Sequence, residues 1–181
     1  MTPPQDRFTR PAIWLHWITA LLMIFMLLWG EDYIRRPEGA SLAGWQPSTH
    51  ATIGVLILLL GIARLLWRMG NPPPKLPRTM RPWEAWAAKA THSTFYVFLI
   101  ALPVTGLLAI VPYGIDRLDV DQVRVFGLFP VAFLPNLGDL TGNVHTSLTI
   151  LTKALVVVHV LAALKHQFWD KDGLLGRMRP V

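Results

Sequence analysis

The chain contains no cysteine in its 181 residues, which excludes disulfides, thiolate-ligated iron–sulfur clusters and CxxCH haem attachment. Charge is sparse as well: 15% of the residues are Asp, Glu, Lys or Arg, against about 25% in an ordinary soluble domain. Carboxylates are scarcest where the sequence is most apolar. Intramembrane proton and metal pathways normally use such carboxylates, so their scarcity argues against a function of that kind.

What is abundant is apolar. Hydrophobic residues make up 52% of the chain and mean hydropathy is +0.40, outside the usual balance for one soluble domain. Four stretches, 12–30, 50–66, 91–111 and 144–164, approach or reach the 20 or so residues that a helix needs to cross a hydrocarbon core. The first, AIWLHWITALLMIFMLLWG, follows Arg7 and Arg10 as a signal peptide would. It is too long for an h-region and contains a histidine, so it reads as a spanning helix.

Lys and Arg set the expected orientation. The amino-terminal tail, the segment 64–89 and the tail after residue 164 hold 12 of them, and the two alternate loops hold four: Arg35, Arg36, Arg117 and Arg124. Both termini are expected to be cytoplasmic, with the opposite loops net acidic. The high pI of about 10.2 then reflects topology and anionic lipid headgroups, and nucleic acid is not needed as a partner.

The chain reads as one domain, 1–181. NPPPKLP (71–77) cannot be helical and hands the chain from the second stretch to the third. The long segment 112–143 carries YG, NLGD and TGN turn signals, and an apolar run, VFGLFPVAFLP, suited to the bundle or to the membrane interface. Pro103 and Gly106 should bend the third helix or let another group approach its backbone. Trp14, Trp17, Trp29, Trp67 and Trp169 sit where interfacial anchors sit. Short connections favour an all-α integral membrane protein, a four-transmembrane-helix antiparallel bundle of the kind that builds cofactor sites between facing helices.

Five of six histidines fall in or at the ends of the apolar stretches, where an ionisable group is costly and turns toward a partner. His145 and His159 are 14 residues apart, about 21 Å along one helix and about 40° from the same face. His16 lies at the level of His159, and His50 at the level of His145. Two imidazole pairs at two depths, without thiolates or carboxylates, suit two haem irons held axially. Zinc wants four ligands, or three and an open position, at one level. Gly54 and Gly61 could leave room for a macrocycle or serve close helix packing. His92 and His166, at the cytoplasmic end, suit hydrogen bonding and proton exchange with a quinone, or simple exposure at the interface.

These residues resemble the bacterial cytochrome b561 family of small di-haem membrane proteins. The resemblance rests on RPAIWLHWITALL, HATIGVLILLLGIARLLWR, NPPPKLP, HSTFYVFLIALPVTG and VHVLAALKHQFWDKDGLLGRM, nearly the whole chain apart from the outer loops. It implies a multi-pass protein of the bacterial inner membrane and two haem b groups, the inner ligated by His16 and His159 and the outer by His50 and His145. It also implies electron transfer to a quinone, with superoxide as donor and ubiquinone as acceptor in members of this size. The alternatives are a haem b subunit exchanging electrons between quinol and a separate periplasmic redox protein, and a haem-free proton or metal carrier. Two positions depart from the family pattern in the region assigned to quinone or proton handling: Lys89 replaces a histidine common in relatives, and Gln167 replaces a second.

Three cations complete the candidates. Arg64 and Arg68, one turn apart, suit the propionates of the inner haem as well as topology. Lys153, near mid-membrane, could hold a propionate or raise the outer haem's potential, or snorkel to the surface. On the second of these readings Lys153→Met lowers the outer haem's midpoint potential in a redox titration, and an unchanged titration discards it.

Overall fold

The computed structural model describes residues 7–34, 45–77, 79–109, 123–131, 137 and 139–180. The YG signal at 113–114 and Arg35, Arg36 and Arg117 lie outside them. Among the described residues are four long helices, α1 (Arg10–Ile34), α2 (Trp45–Gly70), α3 (Pro82–Ala109) and α4 (Asp139–Lys165). All four are long and apolar enough to cross a membrane. In hydrocarbon each backbone N–H and C=O must find a partner inside the protein, which a helix provides within itself and a loop does only where neighbouring groups supply it.

Each helix starts before its apolar stretch, and α1, α2 and α4 also run past its end. α3 begins at Pro82 because proline suits the first helical position and because the Arg81 N–H donates to Glu84 Oε2 at 3.0 Å, half of a capping box. The TGN triplet is no turn: it lies in the first turns of α4, where Thr141 Oγ1 donates to Leu108 O of α3 at 3.2 Å.

α1 packs on α2, α2 on α3 and α3 on α4. Met23, Met26 and Leu27 of α1 meet Ile57 of α2 and Leu99 and Leu102 of α3, with Leu148 and Val156 of α4 against them. The large side chains on the perimeter, such as Leu21, Leu28, Leu59 and Ile150, are exposed, as a lipid-facing surface requires. Pro103 sits inside α3, and Gly61 lets α2 approach that helix closely: a Cβ there would lie 3.1 Å from Leu99 Cβ. Close packing is therefore the use of Gly61. Gly54 faces open space.

At the end that carries both termini, α4 runs into a π-helical turn, His166–Asp170, and the chain reverses at Lys171 and Gly173, both at positive φ. The tail then folds back under the bundle. Trp17 Nε1 donates to Met178 O at 2.8 Å, Arg7 to Arg179 O at 3.0 Å and Arg177 to Lys75 O at 2.7 Å. At the opposite end a two-stranded antiparallel hairpin, β1 (Arg124–Val125) and β2 (Phe129–Pro130), lies against α2. It takes up the first part, 125–130, of the apolar run that the sequence left between bundle and interface; residues 132–135 of that run lie outside the described residues.

Gly61→Val should overpack the α2–α3 contact and destabilise the bundle by about 1–3 kcal/mol, read as a lower thermal midpoint in detergent. Gly54→Ala, with nothing in its way, should leave that midpoint unchanged or slightly raised.

Candidate functional site

Four helices bring the histidines together at two levels. At the terminal end, His16 of α1 faces His159 of α4 with ring centroids 6.4 Å apart. Near the opposite end, His50 of α2 faces His145 of α4 at 6.3 Å. Two imidazoles bound to opposite sides of one metal ion through bonds of about 2 Å place their centroids about 6 Å apart. Both pairs have that spacing, and neither level holds a carboxylate among the described contacts.

The two levels are built differently. His145 Nδ1 lies 2.9 Å from Leu102 O, so the ring's proton sits on Nδ1, donated to that carbonyl, and Nε2 is left as a lone pair. This is the partner that metal-binding histidines ordinarily have behind them. Gly106 makes the approach possible: a Cβ there would fall 2.8 Å from His145 Cε1. Gly30 does the same for His50, where a Cβ would lie 3.2 Å from Cε1. Trp29 packs beside His50 at 6.2 Å.

At the terminal-end level the surroundings are cationic. Arg64 Nη2 lies 3.2 Å from His16 Nδ1, and a guanidinium only donates, so that nitrogen accepts and the ring's proton is on Nε2. Ligation by His16 Nε2 requires the proton on Nδ1 instead, which requires Arg64 to turn to another acceptor. Arg64 and Arg68 both lie over the Tyr96 ring, at 5.7 and 5.6 Å. A third imidazole stands here: His92 of α3 is edge-on to His159 at 5.8 Å, with Phe95 at 5.3 Å. His92 lies ten residues inside α3 and belongs to the inner pair's surroundings.

His166 is placed apart from these rings, at the surface beyond α4. Its Nδ1 lies 2.7 Å from Asp172 Oδ2 and 3.0 Å from Asp170 Oδ2, while Lys165 bridges Asp170 at 2.6 Å and Glu84 at 2.9 Å. Lys89 is exposed on α3, and nothing described links it to that cluster. Lys153 is half-buried in the middle of α4. Sequence reasoning did not single out Asp170, Asp172, Gly30 or the Leu102 carbonyl. Gly106 carried a signal, through the expectation of a close approach to the α3 backbone.

A helical bundle crossing the membrane four times, with histidines paired across its interior at two depths, defines the class of membrane-embedded b-type cytochromes. Residues 7–180 match the prokaryotic cytochrome b561 family, and the chain belongs to it. It is 34% identical to cytochrome b561 homolog 2 of Escherichia coli, over 98% of this chain and 93% of that protein. It is 30% identical to a probable superoxide oxidase CybB of Yersinia pestis, over 97% of each. It is 26% identical to cytochrome b562 of Cereibacter sphaeroides, over 96% of each. Membership implies b-type haem and electron transfer, and sets aside the haem-free alternative.

Gly106→Ala should push the His145 ring off the Leu102 carbonyl and lower the haem recovered per chain in a pyridine haemochrome assay.

Proposed function

We propose that this protein is a transmembrane electron carrier with two bis-histidine b haems, one held by His16 and His159 and the other by His50 and His145. The observation that supports this most directly is the equal spacing of the two imidazole pairs, 6.4 and 6.3 Å, on partners that share α4. The 14 residues between His145 and His159 set the two sites about 21 Å apart along that helix. Each haem supplies reversible one-electron chemistry at its iron, at a potential set by its ligands and their surroundings.

The chain's own residues divide the remaining work. Leu102 O orients His145 through Nδ1, and Gly30 and Gly106 leave room for the two rings at that level. Arg64 and Arg68 are positioned to neutralise propionates at the other level, and a propionate would give Arg64 an acceptor in place of His16 Nδ1, freeing His16 to ligate through Nε2. Lys153 is a further cation on α4, between the levels of the two pairs.

We place the terminal end in the cytoplasm of the bacterial inner membrane, on the strength of the Lys and Arg distribution, and the quinone at that end. His166, between Asp170 and Asp172 at the water boundary, suits transient holding of a proton for a quinone head group; His92 is a third imidazole beside the inner pair, edge-on to His159 at 5.8 Å. The donor proposed is superoxide, in line with the name of the Yersinia pestis relative, and the acceptor ubiquinone. Two superoxide ions each lose one electron and leave as O2, and the quinone takes both electrons with two protons to become quinol. The acidic balance of the outer loops favours a second reading, in which a basic periplasmic redox protein docks there and exchanges electrons with quinol through the same two sites.

His50→Ala or His145→Ala should remove one haem per chain and His16→Ala or His159→Ala the other, while His92→Ala keeps both, as read from reduced-minus-oxidised spectra. Retention of both haems in all four ligand variants refutes the assignment. The purified protein, given superoxide and a soluble ubiquinone analogue, should form quinol. If it forms none and copurifies with a periplasmic redox protein, the second reading holds.

A further inference from the structure

The hairpin formed by β1 and β2 has a place in the fold that neither histidine pair explains. Its buried residues Val123, Val125 and Val131 pack on Ala51 and Val55 of α2 and Leu107 of α3. The Arg124 N–H donates to Ser48 Oγ at 3.1 Å and the Phe126 N–H to Thr52 Oγ1 at 2.9 Å. Ser48 and Thr52 are one helical turn apart, on the side of α2 roughly opposite His50. The hairpin therefore lies on the perimeter of the bundle, in the groove between α2 and α3.

Depth identifies its surroundings. The stretch of α2 that is long and apolar enough to span is Pro47–Gly70; if the bilayer is centred on it, Thr52 lies about 10 Å from the midpoint at 1.5 Å per residue, inside the roughly 15 Å half-thickness of a hydrocarbon core. Ser48, about 15 Å from the midpoint, lies at the boundary. The base of the hairpin, with charged Arg124, is level with the headgroups, and its tip is level with acyl chains. The tip carries Phe126, Leu128 and Phe129, exposed by 43%, 69% and 60%; none of these side chains is charged, and the Arg124 guanidinium, reaching up from the base, donates to Leu128 O at 3.4 Å and so satisfies that carbonyl.

Two further features fit an apolar solvent. Non-helical backbone at membrane depth needs internal partners, and besides the two hydroxyl bonds the Leu128 N–H donates to Val125 O and the Val131 N–H to Val123 O, both at 3.1 Å. The turn puts Phe126 and Gly127 at φ 54° and 69°, a conformation that ordinarily selects Asn-Gly in water. Here a bulky aromatic residue takes the strained position, and lipid, unlike water, favours that ring over an amide.

We propose that residues 124–130 form a re-entrant hairpin that embeds its tip in the leaflet at the end opposite the termini, with phospholipid acyl chains as its partner. Because the chain has no cysteine, Leu128→Cys and Phe129→Cys each carry a single nitroxide label. The test is electron paramagnetic resonance on the haem-loaded protein in vesicles of phosphatidylethanolamine and phosphatidylglycerol, with Ile150→Cys as the lipid-facing reference and Lys75→Cys as the aqueous one. At both positions collisions with dissolved oxygen should exceed those with a water-soluble nickel chelate, as at Ile150 and several-fold above the ratio at Lys75. Accessibility to the chelate like that of Lys75 overturns the proposal. So does shielding from both reagents, which means that protein covers the tip. Haem absorbance equal to the parent's confirms that each variant is folded, and the two positions guard against a single label disturbing the turn.

Discussion

A polar group in hydrocarbon has no water to turn to, and every part of this molecule answers to that constraint. Backbone groups close into four helices. Thr19, Thr105 and Thr152 return their hydroxyls to carbonyls in the preceding turn of their own helices. The imidazoles, the costliest neutral side chains in the spans, turn inward and meet one another across the bundle instead of facing lipid. Once His145 and His159 are fixed 14 residues apart on one helix, the partners on α1 and α2 are constrained to two depths, and the bundle acquires two equivalent gaps between imidazole rings. The site is thus a consequence of the solvent as much as of the chemistry that uses it.

The same constraint explains which features were legible in the sequence. A histidine inside an apolar stretch stands out, and helical rise converts its position into depth, so the levels of His16, His50, His145 and His159 follow from counting residues. The bundle follows from four apolar stretches and their Lys and Arg flanks. Helix ends were less legible because hydropathy marks the lipid boundary, and a helix continues into the headgroup region until a cap stops it. Pro82 and Glu84 spelled out the start of α3 in local terms that hydropathy does not weigh. TGN reads as a turn by composition, yet its threonine hydroxyl has a carbonyl of α3 within reach.

Contacts between distant residues left no trace in spacing. Gly54 and Gly61 attracted notice as small residues on a helix near the expected sites, whereas the glycines that meet the histidine rings are Gly30 and Gly106, on the neighbouring helices. That distinction depends on which faces of two helices are apposed. The hairpin was missed for a different reason: its turn lacks the Asn-Gly or Asp-Gly that marks a hairpin in sequence.

On the proposed ligation, the two levels differ in the charge state of the iron that they favour. The level near the termini is ringed by Arg64, Arg68, His92 and Tyr96, and with the two guanidiniums offsetting haem propionates there, these surroundings would favour the electron-rich ferrous form more than those of the other level. At the other level the Leu102 carbonyl takes the Nδ1 proton of His145 in a hydrogen bond, raising the basicity of the ligand and favouring the ferric form. Lys153 acts on both: counted along α4 it stands about 9 Å from His159 and about 12 Å from His145, so it does not reverse the order. With both haems bound, an electron would therefore have its lower energy beside His16 and His159. The asymmetry runs from the end where the hairpin meets lipid toward the end where His166 and its two aspartates meet water, the direction in which a quinone taking up protons at that water boundary would draw electrons.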